Sequence, residues 1–350
     1  MKASYKKHIL HFKTPSGTSR GVLKEKETWY IILQDNDQQG IGECGLFRGL
    51  SSDDLPEYEE KLQWVCEHIQ LGLKTLLAEL IMFPSIQFGL EQAFLSVSSK
   101  DPFILFPSKF TSKEQPIPIN GLIWMGNTSF MLDQIEQRIS DGFRCIKLKI
   151  GALHFETELA VLKQIRNEYP KEQIELRVDA NGAFTFNEVL VKLEQLASLD
   201  IHSIEQPIKA GNPKQMQLVC KESALPIALD EELIGVVNET NKQELLQIIQ
   251  PHYIILKPSL VGGFKGSEEW ITLANSMNID WWVTSALESN VGLNAIAQWT
   301  YTLNSRMPQG LGTGSLFTNN FKSPLEVKKG QLTYKRDTPW ETNLIKSLCT

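Results

Sequence analysis

Over residues 4–47 apolar and polar side chains alternate, interrupted by the turn-forming runs Pro15-Ser16-Gly17 and Asp35-Asn36-Asp37. That period predicts three antiparallel strands, at 8–12, 29–33 and 40–43. Apolar residues then recur at helical spacing over 53–80 and again over 84–97. A small sheet followed by helices predicts an α+β domain of about a hundred residues. The run 101–115, with Pro102, Pro107 and little periodicity, reads as a linker.

From residue 116 short apolar strands alternate with amphipathic stretches of helical length. The strands fall at 117–124, 143–150, 174–179, 203–205, 227–230, 253–257 and 281–285, with a weak one near Gly310. The helices fall at 129–140, 156–168, 187–198, 213–220, 242–250, 267–277 and 291–302. This alternation predicts β/α units around a parallel sheet. Seven or eight units fit a closed barrel better than an open dinucleotide-binding sheet, for which GxGxxG is also missing. The polar tail from Lys322, with a turn at Gly330, is expected to fold back on the N-terminal domain. The division is then 1–112 joined by 322–350 as a cap, and 113–321 as the barrel.

Composition narrows the function. A chain of 350 residues suggests about two domains, and 42% hydrophobic with 22% charged residues is ordinary globular usage. The net charge of −6 argues against nucleic acid as partner. No secretory segment and no apolar run of membrane-spanning length occurs, so no membrane association and a cytoplasmic location are expected. Five dispersed cysteines without CxxC spacing read as free thiols.

The chemistry lies at the predicted strand ends. Lys147 and Lys149 share one face of their strand. Asp179, Glu205, Asp230 and Lys257 follow on successive strands about 26 residues apart, the length of one β/α unit. All would meet at one barrel mouth. A single acid there is an ordinary surface charge, but three on neighbouring strands repel unless a cation lies among them. Oxygen donors without Cys or His select Mg²⁺ or Mn²⁺. Two ammonium groups beside such an ion would lower one another's pKa and make Lys149 a neutral base, with Lys257 across the barrel. Abstraction of a proton α to a carboxylate needs this set, because the ene-dianion must be stabilised as it forms. A metal-free aldolase using Lys257 as Schiff-base nucleophile and a silent barrel kept for binding are the competing readings. The ring of acids argues against the former and the completeness of the set against the latter.

The residues that carry a resemblance are Lys147-Leu-Lys149, Asp179-Ala-Asn181-Gly-Ala-Phe184, Ile204-Glu205-Gln-Pro207, Pro226-Ile-Ala-Leu-Asp230-Glu231 and Leu256-Lys257-Pro. Val261-Gly-Gly263, Ser285-Ala-Leu-Glu288-Ser289, Gly40-Ile-Gly-Glu43 and Phe83-Pro84-Ser-Ile-Gln-Phe88-Gly-Leu-Glu91 extend it. Over essentially its whole length the chain resembles the muconate-lactonising-enzyme subgroup of the enolase superfamily. The resemblance implies an α/β fold, a modified TIM barrel (β/α)7β with an α+β capping domain made of the N-terminal part and the C-terminal tail. It implies Asp179, Glu205 and Asp230 as Mg²⁺ ligands (Mn²⁺ an alternative), Lys149 as base and then acid, and Lys257 as the cation that holds the enolate. Lys147 would tune Lys149, and Asn181 and Glu231 would orient ligands.

The implied substrate is a small-molecule carboxylate, and the implied reaction is syn dehydration of 2-succinyl-6-hydroxy-2,4-cyclohexadiene-1-carboxylate to 2-succinylbenzoate. Racemisation of N-succinylamino acids, or another cycloisomerase-type activity, is the alternative. Gly263, Ser285, Glu288 and Gly312 are expected on the substrate side or just behind it, Gly312 within a glycine loop that brings backbone N–H groups to a carboxylate. The run 285–289 lacks the Asp-x-Asp that dipeptide epimerases use there. Residues 14–20 have the composition of a lid, with Arg20 placed to meet a carboxylate and an ordinary turn as the plainer reading. At most one of Trp281 and Trp282 lines the pocket. Oligomeric state is left open.

Overall fold

The computed structural model describes residues 1–18 and 21–349. Its first three strands, β1 (Lys2–Thr18), β2 (Gly21–Asp35) and β3 (Gln38–Cys44), form an antiparallel sheet in that order. Pro15-Ser16-Gly17 does not turn the chain. It continues β1, and the pairing with β2 shifts register between His11 and Ser16, as at a bulge. The turn at Asp35–Gln38 stands where expected, with Asn36 in the left-handed region at φ 52°.

Alternation in this sheet separates two buried faces. Trp29, Ile31 and Leu33 pack against α1 (Tyr58–Glu67), α2 (Gly72–Glu79) and α3 (Pro84–Ser98). Helix α3 lies directly on β3: a Cβ at Gly42 would sit 1.9 Å from the Gly89 carbonyl oxygen, so no larger residue fits. On the other face Tyr30, Ile32 and Ile41 meet Val291, Phe321 and the C-terminal helix.

The linker contains a short helix, α4 (Lys109–Lys113), which the lack of periodicity concealed. The single strand expected over 117–124 is two. β4 (Ile117–Pro118) pairs with the C-terminal hairpin, and β5 (Gly121–Ile123) opens the barrel. There follow α5 (Thr128–Ser140), β6 (Cys145–Lys149), α6 (Phe155–Glu168), β7 (Glu175–Asp179), α7 (Val189–Ala197), β8 (Ser203–Glu205) and α8 (Pro213–Glu222). Next come β9 (Ile227–Leu229), α9 (Glu239–Ile249), β10 (Tyr253–Leu256), α10 (Pro258–Val261), α11 (Gly263–Ser276), β11 (Asp280–Val283) and α12 (Asn290–Thr302).

Strands β5 to β11 form one parallel sheet in sequential order. The weak eighth strand is reduced to two residues. Gln309 bridges Ile119 and Gly310 bridges Thr284, both parallel, which joins the edges of the sheet into the expected (β/α)7β barrel. Outward side chains such as Ile146, Leu176, Ile204 and Leu256 pack under the helices. Inside, Trp282 packs with Ala228 and Ile255, and the Arg177 guanidinium lies 4.3 Å from the Trp282 ring centre. This plug fills the lower barrel and leaves its upper layer to charged residues.

The tail divides. β12 (Leu325–Lys328) and β13 (Gln331–Tyr334) form a hairpin on β4, beside the barrel, and Trp340 and α13 (Leu344–Cys349) return to the cap sheet. No helix among the described residues is long and apolar enough to cross a membrane.

Candidate active site

Parallel register aligns Lys149 with Asp179 and Asp179 with Glu205, while Asp230 and Lys257 directly follow β9 and β10. Side chains of like parity therefore meet over the Arg177–Trp282 plug. Lys147 Nζ donates to Glu205 Oε2 at 2.7 Å and to Asp179 Oδ2 at 3.2 Å. Lys149 Nζ donates to the same Asp179 oxygen at 2.9 Å and to Asn181 Oδ1 at 2.7 Å. Lys257 is paired with Asp230 from the other side. Asn181 sits at φ 44°, a left-handed conformation that Asn tolerates better than most residues, and its amide donates to Glu231 Oε1 at 2.9 Å.

Gln206, which sequence reasoning passed over, braces this layer. Its Oε1 accepts the backbone N–H groups of Asp230 and Glu232, both at 3.2 Å.

These charges act on one another. Burial alone would raise Asp179, but the ammonium groups of Lys149, Lys147 and Lys257 outweigh it and hold the carboxyl well below its usual range. Asp230 is likewise held down, burial being overcome by Lys257. Glu205 goes the other way, raised by burial and by the neighbouring Asp179 carboxylate. Lys147 is set by the acids around it. Burial pulls it down, yet the carboxylates of Glu205 and Asp179 hold it above the ordinary lysine value.

The donor set fits a hard divalent cation: three fully buried carboxylates on adjacent strand ends, with Oε1 of Glu205 accepting no hydrogen bond. The Lys257 ammonium stands 3.9 Å from that oxygen. As the side chains stand, no three acids, histidines or cysteines among the described residues converge as the ligands of one ion. Lys147 pairs with Asp179 and Glu205, and Lys257 with Asp230.

Lys147, Lys149, Asn181 and Lys257 line a cavity of about 130 Å³. Leu23, Phe47 and Leu50 of the cap, with Trp124, Leu287 and Leu316, form its apolar wall. Asn120, Thr284, Ser285 and Thr313 form a polar one. Thr284 was missed, although its spacing of two from Trp282 marks it as inward. Neither Trp281 nor Trp282 lines the cavity.

Of the remaining expected positions, Ser285 and the backbone of Gly312 face the cavity. The Gly310 N–H is spent on the Val283 carbonyl at 2.8 Å and is not offered to a ligand. Glu288 is fully buried behind the wall, accepting from Ser285 Oγ and Ser259 Oγ at 2.6 Å each. Gly263 lies elsewhere, at the start of α11, where a Cβ would come 2.0 Å from Glu91 Oε2 of the cap. There Glu91 accepts the N–H groups of Phe264 and Lys265 at 2.5 and 3.0 Å. Gly263 is thus a docking point of cap on barrel, away from the substrate cavity. Arg20 lies outside the described residues.

The chain as a whole has counterparts among known proteins. A family model described as enolase C-terminal domain-like matches residues 131–339, and the MenC N-terminal domain model matches residues 10–97. The chain belongs to the enolase C-terminal domain-like family and is an enzyme of the enolase superfamily. An o-succinylbenzoate synthase from Desulfotalea psychrophila is 44% identical over 95% of this chain and 98% of its own length. The crystal structure of MenC from that organism superposes with a TM-score of 0.85 at 40% identity, covering 95% of this chain and 99% of that one. Muconate lactonizing enzyme from Pseudomonas fluorescens, complexed with muconolactone, shares the fold at TM-score 0.83 and 19% identity, over 99% and 98% of the two chains.

Proposed function

We propose that the chain catalyses the reaction of its synthase relative, dehydration of 2-succinyl-6-hydroxy-2,4-cyclohexadiene-1-carboxylate to 2-succinylbenzoate. The single observation that carries this is the 44% identity over nearly the whole of both chains. The site geometry supports it. Lys149 Nζ, aimed by Asn181 Oδ1 and Asp179 Oδ2, takes the proton α to the ring carboxylate and returns it to the departing hydroxyl. Lys257, on the far side of the acids, opposes the negative charge that develops on the carboxylate. Asp179, Glu205 and Asp230 would hold Mg²⁺, which when bound supplies Lewis-acid stabilisation of that carboxylate. Asn120, Thr284, Ser285 and Thr313 give the cavity polar partners for the succinyl arm, and the apolar wall excludes water from the ring. Loss of water makes the ring aromatic, which drives the step.

Racemisation of N-succinylamino acids is the second reading, supported by lysines on both sides of one cavity, as a two-base exchange needs. The Schiff-base reading is weakened by the pairing of Lys257 with Asp230, which keeps the amine from acting as a free nucleophile. The test is to offer the cyclohexadiene with Mg²⁺, with EDTA, and in parallel N-succinylamino acids in deuterated water. Dehydration that EDTA abolishes is expected. Isotope exchange into the amino acids without any dehydration would replace this reading by the racemase.

A further inference from the structure

The loop that follows Lys149 is held by a carboxylate outside the cavity. Glu158, in the first turn of α6, is buried, and its side chain turns back from the helix onto that loop. Its Oε1 accepts the N–H groups of Gly151, Ala152 and Leu153 at 2.8, 3.1 and 3.0 Å, and its Oε2 meets the Gly151 N–H at 2.9 Å. One side chain thus satisfies three consecutive backbone donors. Residues 151–153 are half-buried or exposed, so water could serve these donors without the cost of burying an acid. What the carboxylate adds is a fixed place for the loop.

The fixed loop is one flank of the segment that carries Asn181. Gly151 stands at φ 95°, and a Cβ there would come 2.4 Å from Ala183 Cβ and 3.4 Å from the Ala180 oxygen. Residues 180–184 therefore rest directly on the clamped loop. Their other flank, toward β8, is held by backbone bonds, Gly182 N–H to the Gln206 oxygen at 2.7 Å and Phe184 N–H to the Pro207 oxygen at 3.1 Å. Phe155, the first residue of α6, meets Phe184 edge to face with ring centres 5.7 Å apart. Both groups that aim Lys149 Nζ, Asp179 and Asn181, belong to this segment or adjoin it. The first clamped N–H lies two residues beyond Lys149 itself.

We propose that Glu158 is a positioning residue for catalysis: by gripping residues 151–153 it holds the end of β6 and the Asn181 loop together, so that Lys149 Nζ keeps its place on Asn181 and Asp179. This rests on the reading of Lys149 as the base. Glu158 does not line the cavity, so its loss falls on turnover and leaves substrate affinity nearly unchanged.

The test uses full-length wild type, Glu158→Leu, Glu158→Gln and Gly151→Ala, all assayed for dehydration with Mg²⁺. Glu158→Leu, which keeps the bulk and removes the acceptor, is expected to lower kcat about tenfold or more while KM moves less than about threefold. Glu158→Gln, whose amide oxygen can take the place of Oε1, should restore most of the loss. Gly151→Ala sets a methyl group against Ala183 with Glu158 intact. It should show the same loss in kcat, and it decides the matter if Glu158→Leu does not fold. Backbone hydrogen exchange over residues 151–153 and 180–184 should quicken in Glu158→Leu and stay slow in Glu158→Gln, a readout that needs no turnover. Wild-type kcat in Glu158→Leu or Gly151→Ala, a loss that falls on KM, a Gln variant as slow as the Leu variant, or exchange that quickens at 151–153 alone would overturn the proposal. Wild type that fails to dehydrate the cyclohexadiene would sink the functional reading instead, and exchange over 180–184 would still decide whether Glu158 holds the Asn181 loop.

Discussion

At the barrel mouth carboxylates face ammonium groups: Lys147 lies 2.7 Å from Glu205, and Lys149 lies 2.9 Å from Asp179. Between cap and barrel, and within the cap, buried carboxylates are held by neutral donors. Asp53 accepts the N–H and Oγ of Ser85 at 2.9 and 2.7 Å, capping α3, and Glu91 accepts two N–H groups at the start of α11. The consequences diverge. Cations keep Asp179 and Asp230 ionised against burial. At Asp53 and Glu91 burial prevails over the neutral donors, and Asp53 is pushed up to about 6 and Glu91 to about 7. The mouth holds two of its three acids low, with Glu205 raised beside Asp179, whereas Asp53 within the cap and Glu91 at its seam are raised toward neutrality.

The largest effect that would sharpen this contrast is Lys149→Ala. Loss of a positioned acid–base group costs roughly 10²–10⁴-fold in turnover, and the circular dichroism spectrum should stay that of the wild type. Turnover close to wild type would break the assignment of chemistry to the mouth.

A middle-sized effect is the pH dependence of stability. Glu91 and Asp53 bind protons more tightly folded than unfolded, their ordinary values being 4.5 and 3.8. The stability they lend is complete below those values and is lost as pH rises through about 7 and about 6 respectively. Unfolding midpoints measured from pH 4.5 to 8 should fall on this account, and Glu91→Gln should remove up to about 3 kcal/mol of the slope. An identical slope in the variant would show that the seam does not titrate.

The smallest is Lys171→Ala, which breaks an exposed ion pair with Asp200 at 2.9 Å. Solvent screens such a pair, so the melting midpoint should not move measurably. A clear drop would mean that surface charge matters here as much as buried charge.

Residue spacing made the barrel and its charged mouth legible. Seven strands and their helices lie within a few residues of the expected ranges, because parallel strands buried on both faces leave a strong apolar signature. Lys147, Lys149, Asp179, Glu205, Asp230 and Lys257 meet because strand parity and one recurring β/α length leave them nowhere else to point. Other features left no local trace. β4 is two residues whose partner lies far along the chain, and the eighth stave is a pair of bridging residues with no pattern to display. The extension of β1 through Pro15-Ser16-Gly17 overrode turn chemistry through pairing with β2.

What the sequence determined by itself is therefore periodic: which faces are apolar, where strands end, and which charges end them. Tertiary structure alone decided the pairings that have no period. It set Gly263 against Glu91 and Glu288 behind Ser285, and it brought Lys147 onto both Asp179 and Glu205. Each of these depends on groups far apart in the chain brought within a few ångströms, and the strength of a buried charge interaction is set by that distance and by exclusion of water, neither of which is written in local order.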